Sequence, residues 1–499
     1  MLRFILAGLT AAAIAVAADC EGLAKLTLPS TKITEAVPAP ADKGVPAHCR
    51  VAGVISPSAD SEIKFAVWLP TAGWNGKFLG IGNGGFAGSI STAGLAEAVR
   101  TGFASASTDT GHAATGGVDA AWALQHPEKI IDFGHRAIHL MTVQGKAITT
   151  AFYGSAPKRS YFSSCSNGGR QALMEAQRYP EDYDGIVAGA PANYWTHLMT
   201  NAAKNAHATL KDPAAYFPAE KLPAIQAAAL TACDKRDAVA DGVIENPGKC
   251  GFDPAVLLCK GEETKACLTA PQVAALKELY GGLRDAKGKV VYPGYAPSGE
   301  AETGGRGPWI TGTAPEKSLL FAFSTNFFKY MVHSDPAWDY RTFNVERDLP
   351  AADKLAVHLN ATNPDLKGFH ARGGKLILYH GWCDAAIPGQ AVIDYYESVV
   401  KKMGKDKAGS FVRLFMVPGM QHCGAGAGPN SFGQAGAPKG EAASNIAMAL
   451  EQWVEKGAAP EQIVAARPGR TRPLCAYPKT AKYKGAGSTD EAGNFECAQ

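Results

Sequence analysis

Apolar and polar positions follow two different rhythms along the chain. From Glu62 to about Pro191, short apolar runs are separated by longer stretches with helical spacing. Lys64–Leu69, Lys77–Ile81 and Gly102–Ser107 read as strands, and Ile130–Phe152 as a helix. Arg159–Ser163 reads as a strand, Gly168–Arg178 as a helix, and Gly185–Ala188 as another strand. The rhythm is lost over 193–344, which is rich in Ala, Pro, Gly and Lys. It returns as strand Lys375–Tyr379, helix Gln390–Lys401, strand Phe411–Val417 and helix Ala443–Lys456. Strands alternating with helices form a mostly parallel sheet covered on both faces. The pattern predicts one α/β domain, 18–192 and 345–499, interrupted by an inserted cap over 193–344. No internal repeat is visible.

A chain of 499 residues exceeds what one simple core serves, in keeping with a main domain plus an insertion. A net charge of +3 gives no reason to expect nucleic acid or an anionic membrane as partner. Met1-Leu2-Arg3 followed by the apolar run Phe4–Val16 and by Ala15-Val16-Ala17 predicts a signal peptide over 1–17. The mature chain would start near Ala18 and be secreted or periplasmic. The run is too short to span a bilayer, and no other stretch approaches the ~20 apolar residues a membrane helix needs. Asp19 before Cys20 is a poor fit to a lipid-attachment site.

Eleven cysteines fit an oxidising compartment. Spacing suggests local pairs Cys20–Cys49, Cys233–Cys250, Cys259–Cys267 and Cys475–Cys497. Cys165, Cys383 and Cys423 remain, and one of them must be unpaired.

The chemistry centres on Tyr161-Phe162-Ser163-Ser164-Cys165-Ser166-Asn167-Gly168-Gly169-Arg170. A strand runs into a helix through a sharp turn with Ser166 at its apex, the pattern of a nucleophile elbow in an α/β-hydrolase fold. Ser164 stands where G-x-S-x-G has its first glycine. A loop serine capping the next helix would look similar. The fold requires an acid and then a base further along the chain. Asp384 follows the strand ending at Tyr379, and His422 follows the strand ending at Val417. A turn Asp or a surface His is common singly, but three such residues in this order, each at a strand end, are not. Cys165 precedes Ser166 and Cys423 follows His422, so a disulfide between them would hold the two at ~5.5–6 Å between Cα atoms and bring serine and histidine together.

The paired Cys-Ser, the intervening Asp and the His-Cys resemble the CS-D-HC motif of the tannase and feruloyl esterase family, and the likeness spans almost the whole chain. The resemblance implies Ser166 as nucleophile, Asp384 as acid, His422 as base and Cys165–Cys423 as the linking disulfide. Cys383, beside the acid, departs from the pattern and is the candidate free thiol. Backbone N–H groups for an oxyanion hole are expected from Asn167 and from the loop Gly82-Asn83-Gly84-Gly85, with Gly85 favoured over Gly84.

Three Asp within Asp234–Asp241 form either a solvated acidic turn or an oxygen-rich site for a hard cation. The segment resembles the family's calcium loop, which implies structural Ca²⁺ held by the side chains of Asp234, Asp237 and Asp241 and the carbonyls of Val239 and Val243. Ala238 stands where that loop often has Gly. No organic cofactor is expected.

The resemblance implies a small-molecule or polymer-linked aromatic ester as substrate: feruloyl first, galloyl or mono(2-hydroxyethyl) terephthalate as alternatives. Tyr194, Trp195, Trp309, Phe327, Phe328, Tyr330 and Trp338 are the aromatic candidates for the pocket, though most such residues belong to cores. A peptidase or amidase could use the same three residues. A non-catalytic binding protein would normally have lost one of them.

Overall fold

The computed structural model describes residues 18–114, 116–434 and 437–499. The signal peptide expected over 1–17 lies outside the described residues. Nine strands form the main sheet: β1 (Thr31–Ala39), β2 (His48–Ile55), β3 (Ile63–Pro70), β4 (Lys77–Ile81) and β5 (Ala104–Thr108), then β6 (Arg159–Cys165), β7 (Gly185–Gly189), β8 (Lys375–Gly381) and β9 (Val412–Val417). Their order is β1-β2-β3-β5-β4-β6-β7-β8-β9. Neighbours from β5 to β9 are parallel, whereas β1, β2 and β3 enter antiparallel.

The central strands are apolar on both sides because helices cover both faces. Phe78, Phe162, Ile186 and Leu378 face one way, onto Ile138, Met141 and Leu173. Their chain neighbours Leu79, Tyr161, Val187 and Ile377 face the other way, onto Ala98, Leu450 and Trp453. The period of two along each strand thus feeds two separate cores from one sheet.

β1 and β2 have no counterpart in the sequence reading. β1 is an edge strand, largely exposed, so it lacks an apolar run. The helix expected over Ile130–Phe152 is real but broken. It runs as Pro127–Ile131, a wide turn Asp132–Arg136 with i→i+5 bonding, and Ala137–Tyr153. Gly134 sits in that turn because a Cβ there would lie 2.5 Å from the His358 carbonyl oxygen.

Among the described residues, no strand of the main sheet lies between β7 and β8. That segment carries the helices Trp195–Leu210, Leu222–Cys233, Ala270–Gly281 and Leu319–Asn326. Its ends meet: the Ala361 N–H donates to the Asn193 carbonyl at 2.8 Å. Asn360 accepts from the Thr196 N–H at 3.0 Å and donates from Nδ2 to Thr196 Oγ1 at 2.9 Å. The apolar cluster that joins it to the scaffold at Phe86, Phe133 and Ile387 also takes in Leu349, Ala352 and Leu359, beyond the boundary expected at 344. Val239 packs with Cys475, Ala481 and Phe495, so the C-terminal hairpins brace the insertion.

Five disulfides are present: Cys20–Cys49, Cys165–Cys423, Cys233–Cys250, Cys259–Cys267 and Cys475–Cys497. They are the pairs expected from the sequence. Cys383 is the free thiol, buried and 2.9 Å from Ser298 Oγ. Burial pushes its pKa well above the ordinary thiol value.

Candidate active site

β6 ends at Cys165 and the helix Asn167–Arg178 begins two residues later, leaving Ser166 alone in the turn. Its backbone stands at φ 67°, ψ −126°, a sparsely populated region costing a non-glycine residue about 1–3 kcal/mol. The turn is held by three main-chain bonds. Ser166 N–H donates to Gly189 O at 2.9 Å, and Ser166 O accepts from Arg170 and Ala192, both at 3.1 Å. Gly168 and Gly169 allow the close approach: a Cβ on Gly168 would lie 1.8 Å from Ser164 Oγ, and one on Gly169 would lie 2.3 Å from Gly189 O. Ser164 is tolerated because Gly82 and Gly168 leave room for it; a Cβ on Gly82 would be 2.8 Å from the same hydroxyl.

The loops after β8 and β9 bring the acid and the imidazole together. His422 Nδ1 lies 2.8 Å from Asp384 Oδ2, which fixes the proton on Nδ1 toward the carboxylate. Asp384 Oδ1 accepts from the N–H groups of Ala386 and Ile387 at 2.8 and 2.9 Å. His380 Nε2 lies 3.1 Å from Oδ2, while its hydrogen bond goes to the Ile387 carbonyl at 3.0 Å. His380 Nδ1 is buried and unpartnered among the described residues, so Nε2 is the donor that meets the Ile387 carbonyl. Burial opposes the charge on Asp384, but His422 with its hydrogen bond, and His380 close beside the carboxylate, outweigh it. The carboxyl is held well below the ordinary carboxylate range. The sequence reading missed His380, whose place four residues before Asp384, at the end of β8, was its only signal.

Ser166 and His422 border one narrow cavity, together with Gly85 and Asn167. The Cys165–Cys423 bridge, with Cα atoms 6.1 Å apart, joins the two loops directly beside them. Gly85 has φ 55°, and a Cβ there would lie 2.3 Å from Gly117 O, so glycine is required. Gly84 does not border the cavity. Its remaining border is apolar. Trp195, Trp309 and Phe323 form an aromatic side, with Trp309 edge-on to His422 at 5.1 Å. Leu198, Met199, Leu320 and Ile387 complete it.

Of the aromatic residues singled out from the sequence, Trp195 and Trp309 reach this cavity. Phe327, Phe328 and Trp338 are buried in the apolar cluster that the insertion shares with the scaffold, and Tyr330 packs against it. Tyr194 borders a different cleft. Phe323 was missed, as were the aliphatic residues beside it; a helical apolar face gives no sign of which residue meets a ligand.

The acidic turn is compact. Asp234 accepts from the Gly242 N–H at 3.2 Å, Asp237 from Val239 at 3.0 Å, and Asp241 from Val243 at 3.1 Å. Arg472 and Arg470 contact Asp241 Oδ2 at 2.6 and 3.3 Å. Asp234 Oδ1 is buried with no hydrogen-bond partner among the described residues. That bare oxygen is open to a hard cation, but among the described residues the three carboxylates do not bring ligand atoms within 4.8 Å of one another, and two arginines hold Asp241. Ala238 has φ 68°, the left-handed conformation that glycine adopts freely.

The sheet order and the elbow define an α/β-hydrolase. The family model described as tannase and feruloyl esterase matches residues 49–498, and the chain belongs to that family. It is similar to an uncharacterized esterase of Xanthomonas campestris pv. campestris, 43% identical over 525 residues covering 96% of this chain and 91% of the relative. A probable feruloyl esterase B-2 of Aspergillus terreus is 34% identical, covering 90% of this chain and 86% of its own. The crystal structure of feruloyl esterase B from Aspergillus oryzae superposes with a TM-score of 0.88 at 30% identity, over 96% of this chain and 99% of that one. The protein is accordingly a carboxylic ester hydrolase of the feruloyl esterase and tannase type.

Proposed function

We propose that the enzyme hydrolyses esters of hydroxycinnamic acids, ferulate foremost, through an acyl-enzyme on Ser166. The carrying observation is the largely apolar cavity beside Ser166, whose other polar groups among the described residues are the side chains of Asn167 and His422 and the indole N–H groups of Trp195 and Trp309. A galloyl ring would bring more hydroxyls than the unpartnered border donors, Trp195 Nε1 and Asn167 Nδ2, can serve, and a terephthaloyl carboxylate would bury a charge without a cation. A feruloyl group presents a methoxy group and one hydroxyl on a flat apolar ring, and suits the aromatic side formed by Trp195, Trp309 and Phe323.

In the proposed reaction, Ser166 Oγ attacks the ester carbonyl while His422 Nε2 takes its proton. Asp384 keeps the imidazole in the required tautomer and stabilises the imidazolium. The N–H groups of Asn167 and Gly85 receive the developing oxyanion. His422 returns the proton to the leaving alcohol, then activates water to release the acid.

The reading extends to the turn Asp234–Val243, which would hold Ca²⁺ through the side chains of Asp234, Asp237 and Asp241 and the carbonyls of Val239 and Val243. The ion would brace the insertion against the C-terminal hairpins. Five disulfides agree with an oxidising compartment, and export with removal of residues 1–17 belongs to the same proposal.

The test is kcat/KM on methyl ferulate, methyl gallate and mono(2-hydroxyethyl) terephthalate, with Ser166→Ala as control. Methyl ferulate should lead by about tenfold or more. A preference for gallate or terephthalate would overturn the substrate class, and activity in Ser166→Ala would overturn the mechanism.

A further inference from the structure

Arg170 is fully buried one helical turn after Ser166, and no carboxylate pairs with it among the described residues. Its guanidinium is instead spent on oxygen dipoles. Nε donates to Asn167 Oδ1 at 2.8 Å, Nη1 to Gly134 O at 2.7 Å and Leu359 O at 3.3 Å, and Nη2 to Phe133 O at 3.0 Å. The rings of Phe133 and Trp195 lie 4.6 and 5.1 Å from its central carbon. Four separate structures therefore meet on one side chain: the helix after the elbow, the wide turn, the returning end of the insertion, and an aromatic residue of the cavity.

The Asn167 side chain depends on this contact. Its Nδ2 is buried without a partner among the described residues, so the bond from Arg170 Nε is the one that orients the carboxamide. Arginine has donors only, so the oxygen must face it. Asn167 borders the cavity and supplies the N–H expected to meet the oxyanion.

We infer that Arg170 is a positioning residue for ester hydrolysis: it locks Asn167 beside Ser166 and ties that lock to the insertion through Leu359 and Trp195. This inference rests on the assignment of Ser166 and Asn167 given above. The planar fork is essential to it. A lysine keeps the charge but presents a single ammonium, which cannot serve Asn167, the wide turn and Leu359 from one plane. The interaction acts where charge develops, so its loss belongs in kcat rather than in substrate binding.

The experiment is a double-mutant cycle of Arg170→Lys and Asn167→Ala on methyl ferulate, with melting temperature followed alongside. Each single variant should lose about tenfold or more in kcat with KM changed less than about threefold. Because both act through one contact, Arg170→Lys in the Asn167→Ala background should cost less than about threefold further. Fully multiplicative losses, an unchanged kcat in Asn167→Ala, or a loss confined to melting temperature would overturn the inference. If Arg170→Lys does not fold, Asn167→Ala still decides the matter, since it leaves the guanidinium and the main chain in place. Ser166→Ala on the same ester reports separately on the nucleophile.

Discussion

His380 and His422 converge on a single oxygen, Asp384 Oδ2, from 3.1 and 2.8 Å. His422 binds that oxygen directly, whereas His380 stands beside it and bonds the Ile387 carbonyl at 3.0 Å. Asp384→Asn would keep the shape but present an amide where His422 needs an acceptor. We expect kcat to fall by about 10³–10⁴-fold with a small change in KM, read from initial rates on methyl ferulate.

The same residue has a pH signature. Its folded pKa is depressed, so its ionised form stabilises the fold above the unfolded value of about 4. That stability is lost as pH falls through the lower folded pKa. The difference in melting temperature between wild type and Asp384→Asn should therefore narrow below about pH 4 and hold steady from pH 5 to 7. A constant difference down to pH 2.5 would refute the assignment.

Ser164 and Gly168 are a matched pair. Gly168→Ala places a methyl 1.8 Å from Ser164 Oγ, an overpacking worth about 1–3 kcal/mol, and should abolish most activity by shifting the elbow. Adding Ser164→Gly removes the nearest clash and should recover much of both losses, leaving the milder contact with Asn83 O at 3.2 Å. Urea denaturation and kcat on the four-member set measure this.

Two disulfides should separate chemistry from stability. Cys165–Cys423 closes 258 positions, worth about 5–6 kcal/mol at most in the chain-entropy model. Its removal by Cys165→Ala with Cys423→Ala should lower both melting temperature and kcat. Cys475–Cys497 closes 22 positions, worth about 3–4 kcal/mol, and lies away from the cavity. Its removal should lower melting temperature and leave kcat unchanged below the transition.

Chelation should lower melting temperature while kcat at 25 °C stays near its starting value, because the acidic turn lies outside the cavity. Ala238→Gly relieves a left-handed alanine at some cost in chain entropy, for a net gain of about 0.5–1 kcal/mol. Calorimetry with and without added Ca²⁺ checks both.

Much of the site was legible because it obeys chain order. Ser166, Asp384 and His422 each follow an apolar strand, and cysteines beside two of them marked which loops meet. β4 to β9 were visible for the same reason, being buried on both faces. β1 was not, since an edge strand needs no continuous apolar run. The wide turn Asp132–Arg136 left no trace either: it answers to Arg170 and His358, contacts far away in sequence. His380 and Phe323 escaped because local pattern separates a buried residue from an exposed one, but not a core residue from one that faces substrate.

The bond between Ala361 and Asn193 gives the insertion the character of a cassette. A segment that leaves and rejoins the scaffold at touching residues can be exchanged with little strain on what it interrupts. Selection, or an engineer, could graft a different aromatic wall between these two positions and redirect the enzyme to another acyl group. The graft would have to keep a carbonyl for Arg170 where Leu359 now stands and an indole where Trp195 lies. Those two contacts, and apolar cover for Phe86, Phe133 and Ile387, set the terms on which a foreign cap would be compatible with this elbow.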